Sequence, residues 1–247
     1  PVNVAVYLSE LGFSASYTGF VGNDSYGDLM KASLSKKGVD ISHVSTVPGS
    51  TAVTNVELTD GDRVFGEYSE GVLKDFYLND DDIAFIESHD LLVSGIWGNI
   101  HNYLQGFKEK GLSVAFDFAD KLRSTVLEEA IKYTDYAFFS CKEEDIDRLK
   151  QFLSDKKSQG PKIVVATLGD RGSMAYDGHD YYSYGIEPVS VIDTLGAGDS
   201  YIEGFITGIL DELPSIECMR LGAKRSSETL KYFGAWQARF HFLHNNN

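Results

Sequence analysis

Strand-like and helix-like segments alternate along most of this chain of 247 residues, and that alternation restricts its fold more than any single residue does. Helix-like spacing of apolar residues occurs at about 3–11, 25–37, 80–88, 102–110, 124–132, 143–158, 197–210 and 215–232. Strand-like runs fall at about 15–20, 90–96, 112–117, 136–140 and 162–167, and Val189-Ser190-Val191-Ile192 reads as a further β-type segment. Runs such as Ile163-Val164-Val165-Ala166 are apolar at every position. A strand of that kind has no face for water and belongs inside a parallel sheet covered by helices on both sides. The alternating order supplies those helices as crossovers. The expected class is therefore α/β.

Two stretches interrupt the pattern. Val53–Leu58 and Arg63–Tyr68 alternate in polarity and flank Asp60-Gly61-Asp62, which predicts a hairpin within 51–68. Inserted early in an α/β domain, such a hairpin is expected to act as a lid, with an edge decoration as the alternative. A second hairpin is predicted at Ser173–Tyr176 and Tyr181–Tyr184, turning at Asp177-Gly178. With 43% hydrophobic residues, the expectation is one large domain over 1–247 that carries the lid as an appendage. A net charge of −15 argues against nucleic acid and anionic membranes as natural partners. Two cysteines, Cys141 and Cys218, argue against a disulfide scaffold and fit a reducing cytoplasm. No apolar run approaches a membrane span of about 18–20 residues. The tail from Phe240 to Asn247 has no periodicity.

The chemistry concentrates in Asp193-Thr194-Leu195-Gly196-Ala197-Gly198-Asp199-Ser200, which opens an apolar helix. Glycines at the start of a helix let backbone amides converge on an anion, and the helix dipole adds positive potential there. Asp199, in the first turn, stands beside that anion. Amides that hold a phosphoryl group and a carboxylate that draws a proton from an attacking hydroxyl are the parts phosphoryl transfer needs. A bare Gly-x-Gly is more often an ordinary capped turn; the full run ahead of an apolar helix favours the anion site. P-loop and dinucleotide-binding glycine patterns are absent from the sequence, as are His-Glu-x-x-His and Cys-x-x-Cys. The six histidines are scattered.

This run resembles the signature of the ribokinase-like (PfkB) carbohydrate kinase family. The resemblance implies a three-layer α/β/α domain with a mainly parallel sheet and a small β lid. It implies Asp199 as catalytic base, and the amides of Gly196, Ala197 and Gly198 as the hole for charge on the transferred group. Thr167-Leu168-Gly169-Asp170-Arg171-Gly172 resembles the family's nucleotide segment, which gives Thr167, Gly169 and Gly172, together with Thr194, a role in binding ATP. Glu143 matches the acidic residue that the family ties to hydrated Mg²⁺, although Ser140 stands where the family has Asn; Ser140 and Glu143 also read as a capping box. Phe116-Asp117-Phe118-Ala119-Asp120-Lys121 resembles Phe-Asp-x-Asn-x-Arg with Ala119 and Lys121 in place of Asn and Arg.

Within the family, fragments such as Val2–Tyr7, Gly38–Val44, Asp62–Gly66, Ile96-Trp97-Gly98 and Gly234-Ala235-Trp236 are similar to kinases of fructosamines. That similarity implies transfer from ATP to the 6-hydroxyl of fructoselysine or a related fructosamine. The implied substrate contacts are Asn3, Asn55, Arg63, Trp97, Asp120 and Lys121. A fructokinase or 2-keto-3-deoxysugar kinase stays open within the class, and a non-catalytic sugar- or nucleotide-binding protein outside it. Dependence on K⁺ is left open, and homodimers through the lid are expected. The family's first strand, with a sugar-binding aspartate, and a Gly-Gly pair precede the asparagine that Asn3 matches; the sequence as given is expected to omit them.

Overall fold

The computed structural model describes residues 1–59 and 62–236, with the backbone alone for 56–59 and 62–65. The turn residues Asp60 and Gly61 and the tail from 240 onward lie outside the described residues. In chain order the elements are α1 (Val2–Glu10), β1 (Gly19–Gly22), α2 (Ser25–Lys36), β2 (Val44–Val47), β3 (Val53–Thr59), β4 (Asp62–Ser69), α3 (Asp80–Glu87) and β5 (Leu91–Gly95). They continue with α4 (Leu104–Glu109), β6 (Ser113–Asp117), α5 (Thr125–Ala130), β7 (Tyr136–Ser140), α6 (Ile146–Lys157) and β8 (Ile163–Thr167). The last are β9 (Ser173–Tyr176), β10 (Tyr181–Tyr184), α7 (Ala197–Leu210) and α8 (Ser215–Thr229).

Six strands form the main sheet in the order β10-β9-β8-β7-β6-β5. β5 to β8 run parallel, and β9 and β10 join antiparallel at one side. Strand alternation divides the side chains between two cores. Val114, Phe116, Ala137, Phe139, Val164 and Ala166 face a core completed by Ile86, Leu104, Phe107, Leu127, Leu149 and Leu153 of α3 to α6. The residues between them, Ala115, Phe138 and Val165, face the opposite core with Val4 of α1, Ile202, Phe205 and Ile206 of α7, and Cys218 and Met219 of α8. The sheet is thus sandwiched between helices, as the apolar runs require. Both cysteines are buried and free. Among the described residues no helix is long and apolar enough to cross a membrane.

Both expected hairpins form. β3 and β4 pair antiparallel with a register slip between Thr54 and Val56, and β9 and β10 pair across Asp177-Gly178. Three boundaries differ from expectation. The segment 189–192 is not a strand: the Ile192 amide donates to the Leu230 carbonyl at 2.8 Å, so the chain runs against the end of α8 instead of along the sheet, with Val191 and Ile192 exposed. The strand expected at 15–20 begins at Gly19, because the backbone of Ala15 and Tyr17 is taken up by Asp40. It pairs parallel with β2, which the sequence did not point to, as a separate two-stranded sheet. A cavity of about 180 Å³, lined by Ser16, Thr18, Phe76, Leu91 and Val93 among others, separates this pair from β5. Finally, α6 starts at Ile146, not 143: Asp145 caps it by accepting from the amides of Asp147 and Arg148, so Ser140 and Glu143 do not form a capping box.

The close approach of α7 and α8 fixes the start of α7. A Cβ at Gly204 would lie 2.6 Å from the Leu221 carbonyl oxygen, and one at Gly208 would lie 2.9 Å from Cys218 Cα. The Gly204→Ala variant should therefore lose about 1–3 kcal/mol to overpacking, although alanine favours a helix by about 1 kcal/mol. A lower urea midpoint at unchanged slope is the expected result; a higher midpoint would mean that α8 yields without cost.

Candidate active site

The carboxyl ends of the parallel strands and the start of α7 bring the site together, the usual place for a ligand in an open α/β sheet. Gly196 precedes α7 at φ 80° in the left-handed region, and a Cβ there would meet the Tyr7 hydroxyl at 2.7 Å and Ala235 Cβ at 2.8 Å. Only glycine suits both the turn and the contact. The preceding residue group is tied down by buried Asp193, which accepts from the amides of Leu195 at 3.0 Å and Gly234 at 2.6 Å. The Ala197 amide donates to the Thr194 carbonyl at 3.3 Å, so in this conformation it is engaged within the turn. Thr194 itself is exposed. Gly198 leaves open space where a Cβ would project.

Asp199 lies in this first turn. Its Oδ2 accepts from Asn3 Nδ2 at 2.7 Å, and its Oδ1 lies 3.5 Å from the Pro1 nitrogen. Asn3, expected as a substrate contact, is therefore next to the expected base. The nucleotide segment follows β8: Gly169–Arg171 form a single 3₁₀ turn, with Gly169 at φ 65° and Gly172 at φ 84°. A Cβ at Gly172 would lie 2.1 Å from the Tyr184 carbonyl, whereas at Gly169 it would enter open space. Thr167 donates its hydroxyl to the Phe139 carbonyl at 3.3 Å. The open positions at Gly169 and Gly198 and the amides of the α7 start suit the phosphates of a nucleotide.

The structure also unites Trp97, Asp120 and Lys121. Lys121 Nζ lies 3.0 Å from Asp120 and 5.8 Å from the centre of the Trp97 ring, which is 56% exposed and edge-on to Tyr68 of β4 at 6.1 Å. Tyr68 carries no signal in the sequence beyond the hairpin's alternation of polarity. Ala119 in this turn takes φ 50°, a conformation that asparagine tolerates better than alanine. Asn55 is exposed at the register slip of β3. Arg63 stands opposite Leu58 on β4, and its side chain lies outside what is described. Glu143 Oε1 accepts from the amides of Glu144 and Asp145, both at 3.0 Å, and the carbonyl of Glu143 accepts from Arg171 at 2.9 Å. Among the described residues no three His, Cys, Asp or Glu side chains converge as a metal cage. A hydrated Mg²⁺ held through water and phosphate oxygens needs only one or two carboxylates, which Glu143 fits.

One further residue belongs here. Asp117 ends β6, accepts from the Ala119 amide at 2.8 Å, and its carbonyl accepts from the Ile96 amide at 3.0 Å, joining the Lys121 and Trp97 turns. Burial pushes its carboxyl up to about 6; the charge of Asp199 adds to that shift and the Ala119 amide opposes it. The signal was present as a carboxylate closing the apolar run Val114-Ala115-Phe116.

The fold is α/β, with the start of α7 and several carboxylates gathered at the carboxyl ends of the parallel strands. The model of the pfkB family carbohydrate kinases matches residues 1–238, and the chain belongs to that family. It is 41% identical over 235 residues to the fructoselysine 6-kinase of Shigella flexneri, covering 95% of this chain and 90% of that protein. It is 30% identical over 240 residues to a fructosamine kinase of Bacillus subtilis, covering 95% and 84%. The fold matches an Arabidopsis thaliana ribokinase complexed with ribose and ATP at a TM-score of 0.85 and 22% identity, covering 95% of this chain and 81% of that one. It also matches an E. coli structure described as a ribokinase II in complex with ATP and Mg²⁺ at 0.78 and 19% identity, covering 95% and 82%. The architecture is ribokinase-like, and the protein is a sugar kinase, a phosphotransferase acting on a sugar hydroxyl.

The shift at Asp117 sets a stability profile. Its folded value lies above the unfolded 3.8, so the folded chain holds a proton the unfolded chain has lost between about pH 4 and 6. The contribution is full below about pH 4 and is lost as pH rises through 6, at most about 3 kcal/mol for a shift of about two units. Asp117→Asn keeps an oxygen for Ala119 and removes the titration. Relative to the variant, the native chain should lose urea stability between pH 4 and 7; a constant difference across that range would refute the assignment.

Proposed function

We propose that this kinase transfers the terminal phosphoryl group of ATP to the 6-hydroxyl of fructoselysine or a related fructosamine. The observation that carries the proposal is Asp199, set in the first turn of α7 next to the glycine amides and held by Asn3. Its relatives named as fructoselysine 6-kinase and fructosamine kinase support the substrate class. Thr167, Gly169, Gly172 and Thr194 would hold the nucleotide, and Glu143 would hold Mg²⁺ through its waters. Bound there, ATP supplies the phosphoryl group and Mg²⁺ offsets its charge.

The chain's own work is positioning and electrostatics, as a loose phosphoryl-transfer transition state demands. Asp199 accepts the proton of the attacking hydroxyl as the new oxygen–phosphorus bond forms and ADP departs. The amides at 196–198 stabilise charge on the moving group; that role requires the Ala197 amide to exchange its Thr194 partner for the phosphoryl oxygen. Trp97, with Tyr68 at the lid, offers an aromatic face to the cationic amine of a fructosamine. Asp120 and Lys121 present both signs of charge to the amino-acid part, with Asn55 and Arg63 on the lid side.

Asp199→Asn should lower kcat by about two to four orders of magnitude while ATP still binds. An ADP-release assay with fructoselysine, fructose or no sugar measures it. Retained turnover removes Asp199 as the base, and turnover with fructose alone replaces the substrate while keeping the kinase.

The lid extends the proposal to assembly. Among the described residues β3 and β4 pair only with each other, which leaves two free edges. Two copies are expected to associate through these edges, giving a dimer mass by sedimentation at micromolar concentration; a monomer throughout that range opposes it.

A further inference from the structure

Asn3 is held at both ends. Trp236 Nε1 donates to Asn3 Oδ1 at 3.0 Å, and Asn3 Nδ2 donates to Asp199 Oδ2 at 2.7 Å. An indole N–H can only donate, so it must face the amide oxygen, and the NH₂ end is left to the carboxylate. A flipped Asn3 would set two donors against each other at Trp236 and two acceptors against each other at Asp199. Trp236 is thus the group that decides which end of Asn3 meets Asp199.

The indole is itself fixed from several sides. It packs with Ala5 and Val6 of α1 and Leu34 of α2, and Lys37 Nζ lies 5.6 Å from its ring centre. The preceding carbonyl, Ala235, accepts from the Tyr7 hydroxyl and from Tyr232 at 3.3 Å, while Gly234 donates to Asp193. The segment after α8 therefore closes a ring through α1 and the start of α7.

We infer that Trp236 is a positioning residue that acts through the Asn3 amide to hold the Asp199 carboxylate by its Oδ2. The inference rests on the reading of Asp199 as base. It predicts an effect on turnover rather than binding, because neither ligand needs to touch Trp236.

The test is a double-mutant cycle on sugar-dependent ADP release. Trp236→Phe keeps the ring and removes the donor; kcat should fall about tenfold or more, with KM for ATP and for fructoselysine within twofold of the native values. In an Asn3→Ala background the same substitution should change kcat less than twofold, since the connection is already cut. An undiminished effect in that background, or a rise in KM at constant kcat, overturns the inference. Asn3→Asp supplies a check independent of how Trp236→Phe folds: it keeps the acceptor for Trp236 and loses the donor to Asp199. Native kcat in Asn3→Asp also overturns the inference. Failure of the base is a separate outcome, seen as native turnover in Asp199→Asn.

Discussion

Glu203 lies on α7 with no exposure to solvent and meets Arg225 of α8 at 2.7 Å, while Thr207 donates to its other oxygen at 3.2 Å. Burial pushes the Glu203 carboxyl upward, and the guanidinium pulls against that. A buried pair is weak evidence of net stability, because desolvation consumes most of the attraction, but it penalises every arrangement that separates the partners. Glycines at 204, 208 and 222 let the two helices come close enough for the pair to form. Ser226 of α8 adds a hydrogen bond to the Ala197 carbonyl at 3.1 Å, which ties the second helix to the first turn of α7. The placement of Asp199 and of the glycine amides is a consequence of that docking. A shift of α7 along α8 would break the ion pair and move the Asp199 turn with it.

The electrostatics of the site follow from a strongly acidic chain that has to receive a polyphosphate. The net charge is −15, and the site adds Asp117 and Asp199 close enough to influence one another. Attraction at long range is unfavourable, so binding depends on short-range donors: amides at a helix start, the dipole behind them, and metal charge brought with the ligand. The nearby cations are partly committed, Lys121 to Asp120 and Arg171 to the Glu143 carbonyl. A carboxylate close to these donors keeps one position only when hydrogen bonds fix it, and Asn3 supplies one to Asp199.

The parallel sheet, both hairpins and the Asp199 turn were legible because each rests on local pattern: an apolar run, a Gly-centred turn, glycines ahead of a helix. What escaped was set by distant partners. Val189–Ile192 has the composition of a strand, yet no sheet edge reaches it and Leu230 takes its amide. Ser140 and Glu143 have the spacing of a capping box, yet Asp145 lies nearer the helix start and wins the amides. Asn3 carried a family-based role as a sugar contact, and its hydrogen bonds to Asp199 and Trp236 depend on residues 196 and 233 positions away in sequence. No spacing rule connects such residues.

The departures from the family's Phe-Asp-x-Asn-x-Arg pattern bear on specificity. Ala119 adopts positive φ where asparagine is more at ease, so the turn is kept by its surroundings: the Asp117 carboxylate on the Ala119 amide, and the Ala119 carbonyl on the Ser140 amide at 2.8 Å. The turn is thus held by hydrogen bonds to the Ala119 backbone on both sides, with no polar side chain at that position. Lys121 in place of arginine exchanges a rigid fork for a single flexible charge, and that charge sits over Trp97 beside Asp120. Both changes trade fixed donors for a smaller, mixed-charge and aromatic surface. Under the proposed function, the amino-acid part of a fructosamine brings its own charges to pair with Asp120 and Lys121, which a sugar offering hydroxyls alone does not.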